Sequence, residues 1–311
     1  MNNKRLAILL VVLVALYLLG RMIAGKGERN FDSNILTLDT AVVDKIVMTG
    51  KSGTVTLTRD GSSWKVEDGQ GNEAPALKSA AQGVIGSLAS IQSQRIITTS
   101  PDKWADYEVT DTSGTQVIAT GKGKTLADLM IGRFAFNQAT RSGTSYVRKS
   151  GENAVYAVDG FLSMSFTRDF NSFRDKTLAA ISPADVKSLT LQGTGMPGNY
   201  ALIKDANGQW AMGGTPLDSA SVANYLSGLR FLNGTNFADD FRPTGQSPAY
   251  ALDVTTNQQL EPVHIECYQD AGAHPFVFHS SVNPQAYFSS DSSQLYQTVI
   301  RSFLDLVDHD Q

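Results

Sequence analysis

The fold is decided by a stretch that occurs twice, as TVTLTRDGSSWKV at residues 54–66 and as NYALIKDANGQWAM at residues 199–212. Apolar and polar residues alternate on both sides of a short break, which is the pattern of half-buried strands. The breaks contain Asp60-Gly61 and Asn207-Gly208, residue pairs that tolerate the positive φ of a tight hairpin turn. Each stretch therefore predicts a strand–turn–strand unit.

The similarity between the two stretches extends along the chain on both sides. Trp64 and Trp210 stand at the same place on the returning strand of each unit. A helix is predicted after each unit, at residues 76–91 and 218–232, because apolar residues recur there at spacings of three and four. Asp218 is the predicted N-cap of the second helix. The segment Trp104-Ala105-Asp106-Tyr107 is then echoed by Phe237-Ala238-Asp239-Asp240. We infer an internal repeat.

The predicted fold class is α+β, with two tandem, similar, β-rich repeats of roughly ββαββββα behind an N-terminal transmembrane helix. The closing helices of the two repeats are predicted at residues 161–178 and 293–307. The predicted organisation is a membrane anchor with a short cytoplasmic tail at 1–25, a linker at 26–34, a first repeat at 35–180 and a second repeat at 181–311.

The predicted anchor is the apolar run LAILLVVLVALYLLG at residues 6–20, which continues through Arg21 to Ala24. A helix over these 19 residues is about 28 Å long and matches a hydrocarbon core of about 30 Å. We expect residues 6–24 to lie in a bilayer, with the body outside the cytoplasm. A cleaved signal peptide and a buried soluble helix are the alternatives, although no Ala-x-Ala site follows the run.

Composition excludes several classes of protein. The 311 residues include 26 Lys and Arg against 30 Asp and Glu, and residues 26–311 alone hold 23 against 30, a formal charge of −7. A mildly acidic body argues against nucleic-acid binding. The single cysteine, Cys267, excludes an intramolecular disulfide and a zinc site built from several cysteines.

Three short patterns resemble chemical sites. Gly121-Lys122-Gly123-Lys124-Thr125 resembles the end of a phosphate loop, but Ile118 occupies the position of its first glycine, so an exposed turn is expected. Cys267 alternates with Ile265 and is expected to be a small buried side chain. Asp239 and Asp240 are adjacent and therefore make a poor pair of catalytic carboxylates, and a structural role such as capping is expected for Asp239.

The histidines give no convincing metal site. His264, Glu266 and Tyr268 alternate along one face of a probable strand and are expected at the surface. His274 and His279 differ by five positions, so they point to opposite faces of a regular strand. We predict no catalytic, cofactor-binding or metal-binding residue in the chain, and no cofactor.

Two aromatic segments allow two interpretations each. FLSMSFTRDFNSFRDKTL at residues 161–178 carries Phe161, Phe166, Phe170 and Phe173. These side chains are expected mostly in the core, and any exposed part is expected to form a partner surface. The same question applies to QLYQTVIRSFLDLV at residues 294–307.

Several of these features together resemble the bacterial DUF4340 family: the short N-terminal span, the repeated units with a returning tryptophan, and the segment Phe173-Arg174-Asp175-Lys176 before the second copy. Trp104-Ala105-Asp106-Tyr107 is similar to the aromatic "YGL" region of that family, but Glu108-Val109 replace its Gly-Leu. Such proteins are commonly encoded beside ABC-type permeases and a gliding-motility-type auxiliary membrane protein, and the family supplies no catalytic residue.

The resemblance implies a non-enzymatic accessory subunit in the bacterial inner membrane, with a periplasmic body. Its expected partners are an ABC-type permease and an auxiliary membrane subunit. The alternatives are an extracytoplasmic module that binds a ligand in the cleft between the two repeats, and an enzyme of unrecognised type.

Overall fold

A computed structural model describes residues 35–139, 141–269 and 273–308. The predicted anchor at 1–25 and the predicted linker at 26–34 lie outside these ranges. Within the ranges, no helix is both long enough and apolar enough to cross a membrane.

The chain divides into two compact units. The first comprises the residues up to Ser62, Glu67–Asn72 and Lys78–Asp169, and the second comprises Ser63–Val66, Glu73–Leu77 and the residues from Phe170 onward.

A nine-stranded antiparallel sheet lies in the first half of the described chain. Its strands are β1 (Lys45–Gly50), β2 (Gly53–Asp60), β3 (Ser63–Asp68), β4 (Glu73–Ala76), β5 (Ser93–Thr98), β6 (Thr115–Gly121), β7 (Lys124–Asn137), β8 (Ser142–Lys149) and β9 (Val155–Asp159). The spatial order is β4-β3-β2-β1-β6-β7-β8-β9-β5.

A second nine-stranded antiparallel sheet lies in the later half, beside a small two-stranded one. The strands, in chain order, are β10 (Thr177–Ala179), β11 (Val186–Gly193), β12 (Tyr200–Lys204), β13 (Trp210–Met212), β14 (Thr215–Pro216), β15 (Leu232–Asn233), β16 (Asn236–Phe237), β17 (Tyr250–Thr256), β18 (Val263–Gln269), β19 (Phe276–Ser280) and β20 (Tyr287–Ser290). The large sheet has the order β14-β13-β12-β11-β17-β18-β19-β20-β16, and β10 pairs with β15.

The two large sheets have one strand order. In each, four consecutive strands run from the centre of the sheet to one edge, and a helix follows. A strand after the helix, β5 in the first sheet and β16 in the second, forms the opposite edge, and the last four strands lie between it and the central strand. The β-rich α+β class is thereby confirmed, but the predicted ββαββββα plan is wrong in detail. Four strands precede the helix and five follow it, because short strands such as β4 and β14 carry too little alternation to be recognised.

The helices are α1 (Lys78–Ala89), α2 (Leu162–Phe166), α3 (Phe170–Phe173), α4 (Ser219–Leu229), α5 (Gln294–Tyr296) and α6 (Ser302–Asp308), with a π-helical turn at Gln297–Arg301 between the last two. The predicted N-cap is confirmed, since the Asp218 carboxylate accepts hydrogen bonds from the amides of Ala220 and Ser221. The C-terminal helix buries one face, as a core helix does, through Leu295, Val299, Ile300, Phe303 and Val307.

The predicted closing helix of the first copy, residues 161–178, is wrong as a single helix. The segment forms α2, α3 and then β10. The amide of Leu77 donates to the Phe173 carbonyl, and the amide of Asp175 donates to the Pro75 carbonyl. These backbone groups bond to a neighbouring segment and are therefore unavailable for a continuous helix.

Each large sheet buries alternate residues, as the sequence pattern predicts. Ile46 and Leu57 are buried in the first sheet. Leu189, Leu252 and Ile265 are buried in the second. Trp64 and Trp210 are both buried near the start of their strands. The returning tryptophan thus belongs to the core in both copies.

Candidate functional site

The segment Phe173–Lys176 contributes to the fold through almost every group it carries. Phe173 is fully buried. The Asp175 carboxylate accepts from the amide of Thr177 at 2.9 Å, and the Asp175 carbonyl accepts from the Asn283 side-chain amide at 2.9 Å. The Lys176 carbonyl accepts from the amide of Gly234. The segment therefore joins several parts of the second unit.

Arg174 is the centre of this junction. Its guanidinium donates two hydrogen bonds to the two oxygens of Asp239, at 2.7 and 2.8 Å, and a third to Asn171 at 3.1 Å. It also stacks over the Phe237 ring, 3.5 Å from the ring centre. The Arg174 side chain is 6% exposed, and its Nε is buried without a hydrogen-bond partner. We call Arg174, Asn171, Phe237 and Asp239 the Arg174 clamp.

The first unit contains a similar stack at the echoed aromatic position. The Arg148 guanidinium lies 3.9 Å from the ring centre of Trp104. Its Nε donates to the Val109 carbonyl at 3.1 Å, and its Nη2 lies 3.4 Å from an Asp111 oxygen. Trp104 and Phe237, which the sequence aligns, therefore both support a buried arginine. Arg148 was not predicted as a functional residue, and its signal in the sequence is a charge within the alternating strand TSYVRKS.

The departure from the family "YGL" pattern has a structural meaning. Tyr107 packs on Tyr146, with ring centres 4.8 Å apart. Glu108 then adopts a left-handed conformation with φ 55° and ψ 36°, which favours glycine. Val109 is fully buried, as the apolar residue at the end of the pattern requires. Glu108 thus occupies a glycine position at a conformational cost.

A network of titratable side chains lies on one face of the second sheet. Strand register places Asp253 opposite His264, and Glu266 opposite His279. His264 Nδ1 donates to Asp253, and its Nε2 lies 3.5 Å from Glu266. His279 Nδ1 lies 3.1 Å from the other Glu266 oxygen, which also accepts from the Tyr268 hydroxyl at 2.8 Å. We call these five residues the β17–β19 network.

Neighbouring groups shift the pKa values of His264 and Glu266 in opposite directions. Burial opposes the charged form of His264, but the hydrogen bond and charge of Asp253, together with Glu266, outweigh it and raise the pKa of His264 above 6.5. Burial also opposes the charged form of Glu266, but hydrogen bonds from Tyr268 and His279 lower its pKa below 4.5. The neighbours of His264 and of Glu266 therefore favour the charged form of each of these two side chains.

The network differs in part from its prediction. Tyr268, expected at the surface, is buried because Phe241 packs on its ring at 5.3 Å. His274 and His279 contact different carboxylates, Asp240 and Glu266 respectively. In the described ranges no group of three or more His, Cys, Asp and Glu side chains is arranged to hold a metal ion.

The remaining candidates are placed as follows. Cys267 is buried as predicted, and burial raises the pKa of its thiol to about 12. Lys122 and Gly123, with φ 52° and 74°, form the turn between β6 and β7, so the glycine- and lysine-rich stretch is a hairpin turn, as expected. Asp239 holds Arg174 while Asp240 faces His274. The two carboxylates do not act as a pair.

An exposed aromatic cluster lies on the first unit. The Phe161 ring contacts the rings of Phe134 and Phe136, with centres 5.2 and 6.1 Å apart, and Met164 follows on α2. These four side chains are 37% to 64% exposed. We call them the phenylalanine patch. Phe166 and Phe173 are buried, so segment 161–178 contains both core residues and an exposed apolar surface.

A groove of about 460 Å³ lies between α4 and α6 in the second unit. Its lining mixes apolar and polar side chains: Leu217, Asp218, Ser221, Asn224, Tyr225 and Leu306 among others. The Tyr225 hydroxyl donates to the Val299 carbonyl in the π-helical turn, at 2.9 Å. Asp218 already caps α4, which leaves few polar groups of the groove without a role in the fold.

Comparison with known proteins gives a family match. A family model described as "Domain of unknown function (DUF4340)" matches residues 70–254, more than half of the chain. No curated protein matches the chain, and no solved structure does. The matched range contains residues 104–107 and 173–176, on which the resemblance was based, and the resemblance is confirmed.

Proposed function

Since this chain belongs to the DUF4340 family, we propose that it is a membrane-anchored, extracytoplasmic accessory subunit. It acts by protein–protein contact, without catalysis, in a complex with an ABC-type permease and a gliding-motility-type auxiliary membrane protein. The anchor is the apolar run at residues 6–24, and the body beyond it lies in the periplasm of a bacterial cell.

One observation carries the proposal. The family segment Phe173–Lys176 is engaged in building the fold, and its charged side chain Arg174 is held by Asp239. A catalytic motif instead aims a reactive group at a space that a substrate can enter. A motif engaged in this way supports a scaffold role.

The strand orders support a second part of the proposal. The two large sheets have the same strand order, and the sequence is similar around Trp64 and Trp210. Together these observations fit a tandem duplication of one β-rich unit. We propose repeat boundaries at residues 35–180 and 181–311. A duplicated unit presents two related surfaces, which suits contact with two membrane subunits.

Affinity isolation tests the proposal. The full chain, tagged at its C-terminus, is isolated from native membranes in mild detergent, and the companions are identified by mass spectrometry. The expected result is recovery of a permease and an auxiliary membrane subunit. The matched control is Leu10→Arg with Val14→Arg, which places two charges in the apolar run and is expected to abolish that recovery. Recovery of no transporter subunit by the unmodified chain would overturn the proposal.

The ligand-binding alternative has one observation in its favour, the groove between α4 and α6. A volume of about 460 Å³ falls in the range of small-molecule sites. Native mass spectrometry of the isolated chain tests it. A bound mass that Tyr225→Ala removes would support ligand binding, and a bare chain would count against it.

A further inference from the structure

His279 on β19 occupies the position that Arg148 occupies on β8. These two strands have the same place in the strand orders of the two large sheets. In both sheets a row of directly paired residues runs from this position, across the two neighbouring strands, to the residue before the terminal glycine of β1 or β11. The rows are Arg148, Met130, Gln116 and Thr49 in the first unit, and His279, Glu266, Ala251 and Gln192 in the second. The second unit therefore has a histidine where the first has a buried arginine.

The two side chains have the same three kinds of partner. Arg148 contacts a backbone carbonyl, a carboxylate and an aromatic ring. His279 Nε2 lies 3.2 Å from the Pro284 carbonyl oxygen, and Nδ1 lies 3.1 Å from a Glu266 oxygen. The imidazole also stacks on the Tyr287 ring, with ring centres 4.7 Å apart. Arginine keeps its charge at every pH at which proteins fold, whereas histidine titrates near neutral pH. The second unit thus has a titratable cation in place of a permanent one.

Both ring nitrogens of His279 face oxygens that can only accept a hydrogen bond. A backbone carbonyl and an ionised carboxylate have no hydrogen to donate, and a neutral imidazole has a single N–H. Hydrogen bonds from Tyr268 and His279 lower the pKa of Glu266, which favours its ionised form. The two contacts are therefore satisfied together only by the protonated ring. The carboxylate is the stronger acceptor, so a neutral ring keeps its bond to Glu266 and loses the bond to Pro284.

The titratable groups around His279 come from three strands and a covering loop. The strands supply Asp253 on β17, His264, Glu266 and Tyr268 on β18, and Tyr287 on β20. The covering loop carries Asp239 and Asp240, which contact Arg174 and His274 instead. The turn between β19 and β20 has no titratable side chain. Within the β17–β19 network, the two histidines are thus the groups that titrate near neutral pH, and Glu266 lies between them.

The contact with Pro284 holds the turn between β19 and β20, at residues 281–286. Four of these six residues are exposed, but Asn283 is buried. The Asn283 side-chain amide donates to the carbonyl of Asp175 at 2.9 Å. Asp175 belongs to the family segment Phe173–Lys176. The turn therefore connects the histidine ring to that segment.

We propose that His279 is a proton-controlled latch in the second unit. The protonated ring closes the turn 281–286 on the β17–β19 network and keeps Asn283 on the family segment. A contact that needs the protonated form is complete at low pH and is lost as the pH rises. The turn and the family segment therefore loosen together when the ring becomes neutral. This inference goes beyond the proposed function, since it needs neither the anchor nor a partner and can fail separately.

Hydrogen–deuterium exchange of the full chain in detergent tests the inference at about pH 5.5 and about pH 8.5, on either side of the ordinary titration of histidine. Labelling times are scaled for the intrinsic pH dependence of amide exchange. His279→Arg is the matched variant, because it places in the second unit the permanent cation of the first. The turn between β8 and β9, at residues 150–154, is the internal control, since it follows Arg148. His279→Gln is a second variant, neutral at both pH values, in case the arginine variant fails to fold.

In the unmodified chain we expect the protection of residues 281–286 to fall roughly tenfold or more from the lower to the higher pH, because a charge-assisted hydrogen bond is lost. Residues 173–177 should lose protection with them, and residues 150–154 should not change. His279→Arg should keep the turn protected at both pH values, and His279→Gln should leave it weakly protected at both. Equal protection of the turn at both pH values in the unmodified chain would overturn the inference. A pH-dependent turn in either variant would also overturn it, since another group, such as His264, would then be responsible. Unchanged protection of residues 173–177 while the turn loosens would overturn the link to the family segment.

Discussion

Replacement of Asp239 by asparagine removes the charge that holds the Arg174 clamp together. The Arg174 guanidinium is 6% exposed and bonds to both Asp239 oxygens, at 2.7 and 2.8 Å. Loss of a partner from a buried ion pair costs roughly 3–5 kcal/mol, because a charge stays buried without compensation. The Asp239 side chain is 62% exposed, so solvent screens part of the pair and lowers the expected cost to about 2–3 kcal/mol.

The assay is urea unfolding of the full chain in detergent, followed by tryptophan fluorescence. Asp240→Asn is the matched control: the neighbouring carboxylate lies 2.9 Å from His274 and is 69% exposed. We expect the urea midpoint of that control to stay close to that of the unmodified chain.

A double-mutant cycle separates the pair from its surroundings. Arg174→Met keeps most of the side-chain volume and removes the charge, so Asp239→Asn is expected to cost little in that background. The coupling free energy between Arg174 and Asp239 should account for most of the loss of stability in the single Asp239→Asn variant. The reasoning is refuted if Asp239→Asn and Asp240→Asn unfold at the same urea concentration.

Three further outcomes are expected. Glu108→Gly should raise the free energy of unfolding by about 0.5–1 kcal/mol, since relief of the left-handed strain exceeds the added backbone entropy; a lower urea midpoint would contradict this. The raised pKa of His264 contributes stability that is complete below about pH 6.5 and is lost as pH rises through the folded-state pKa. Asp253→Asn should therefore lower the melting temperature at about pH 5.5 and change it little at about pH 9, and equal losses at both would argue against the network. Cys267, with a thiol pKa of about 12, should react with a maleimide only in denaturant, and rapid labelling of the native chain would count against its burial.

Local signals predicted the strands and turns well. Residues 252–256 of β17 and 263–267 of β18 alternate between buried and partly exposed positions, so these residues could be assigned to faces from the sequence. The hairpin glycines Gly61 and Gly208 adopt positive φ, at 60° and 84°. Asp218 caps its helix because its carboxylate needs only the amides two and three residues later. Each of these features depends on a few neighbouring residues.

Contacts between distant residues were not predictable in the same way. Arg174 and Asp239 are 65 residues apart, and nothing local indicates that one holds the other. Glu266 meets His279 through the register of β18 on β19, which alternation alone does not determine. Tyr268 was expected at the surface and is buried because Phe241 covers it. Tertiary packing decided all three.

The left-handed Glu108 was missed for a different reason. The sequence shows that glycine is replaced there, but the backbone angle that makes glycine favourable becomes visible only at the end of the turn Pro101–Tyr107. In the same way, the exposure of Phe161 depends on the flat surface at Gly143, a neighbour brought by β8. The sequence drew attention to the segments that contain Glu108 and Phe161. It did not indicate the backbone conformation of Glu108 or the exposure of Phe161.

Protease treatment of cells combined with carbonate extraction tests the central claim of a lipid-held, periplasmic body most directly. The account predicts that the body is cleaved only after the outer membrane is opened, and that the uncleaved chain stays in the membrane pellet after alkaline washing. A body that stays protected while the inner membrane is intact, or a full-length chain released into the carbonate supernatant, would contradict it.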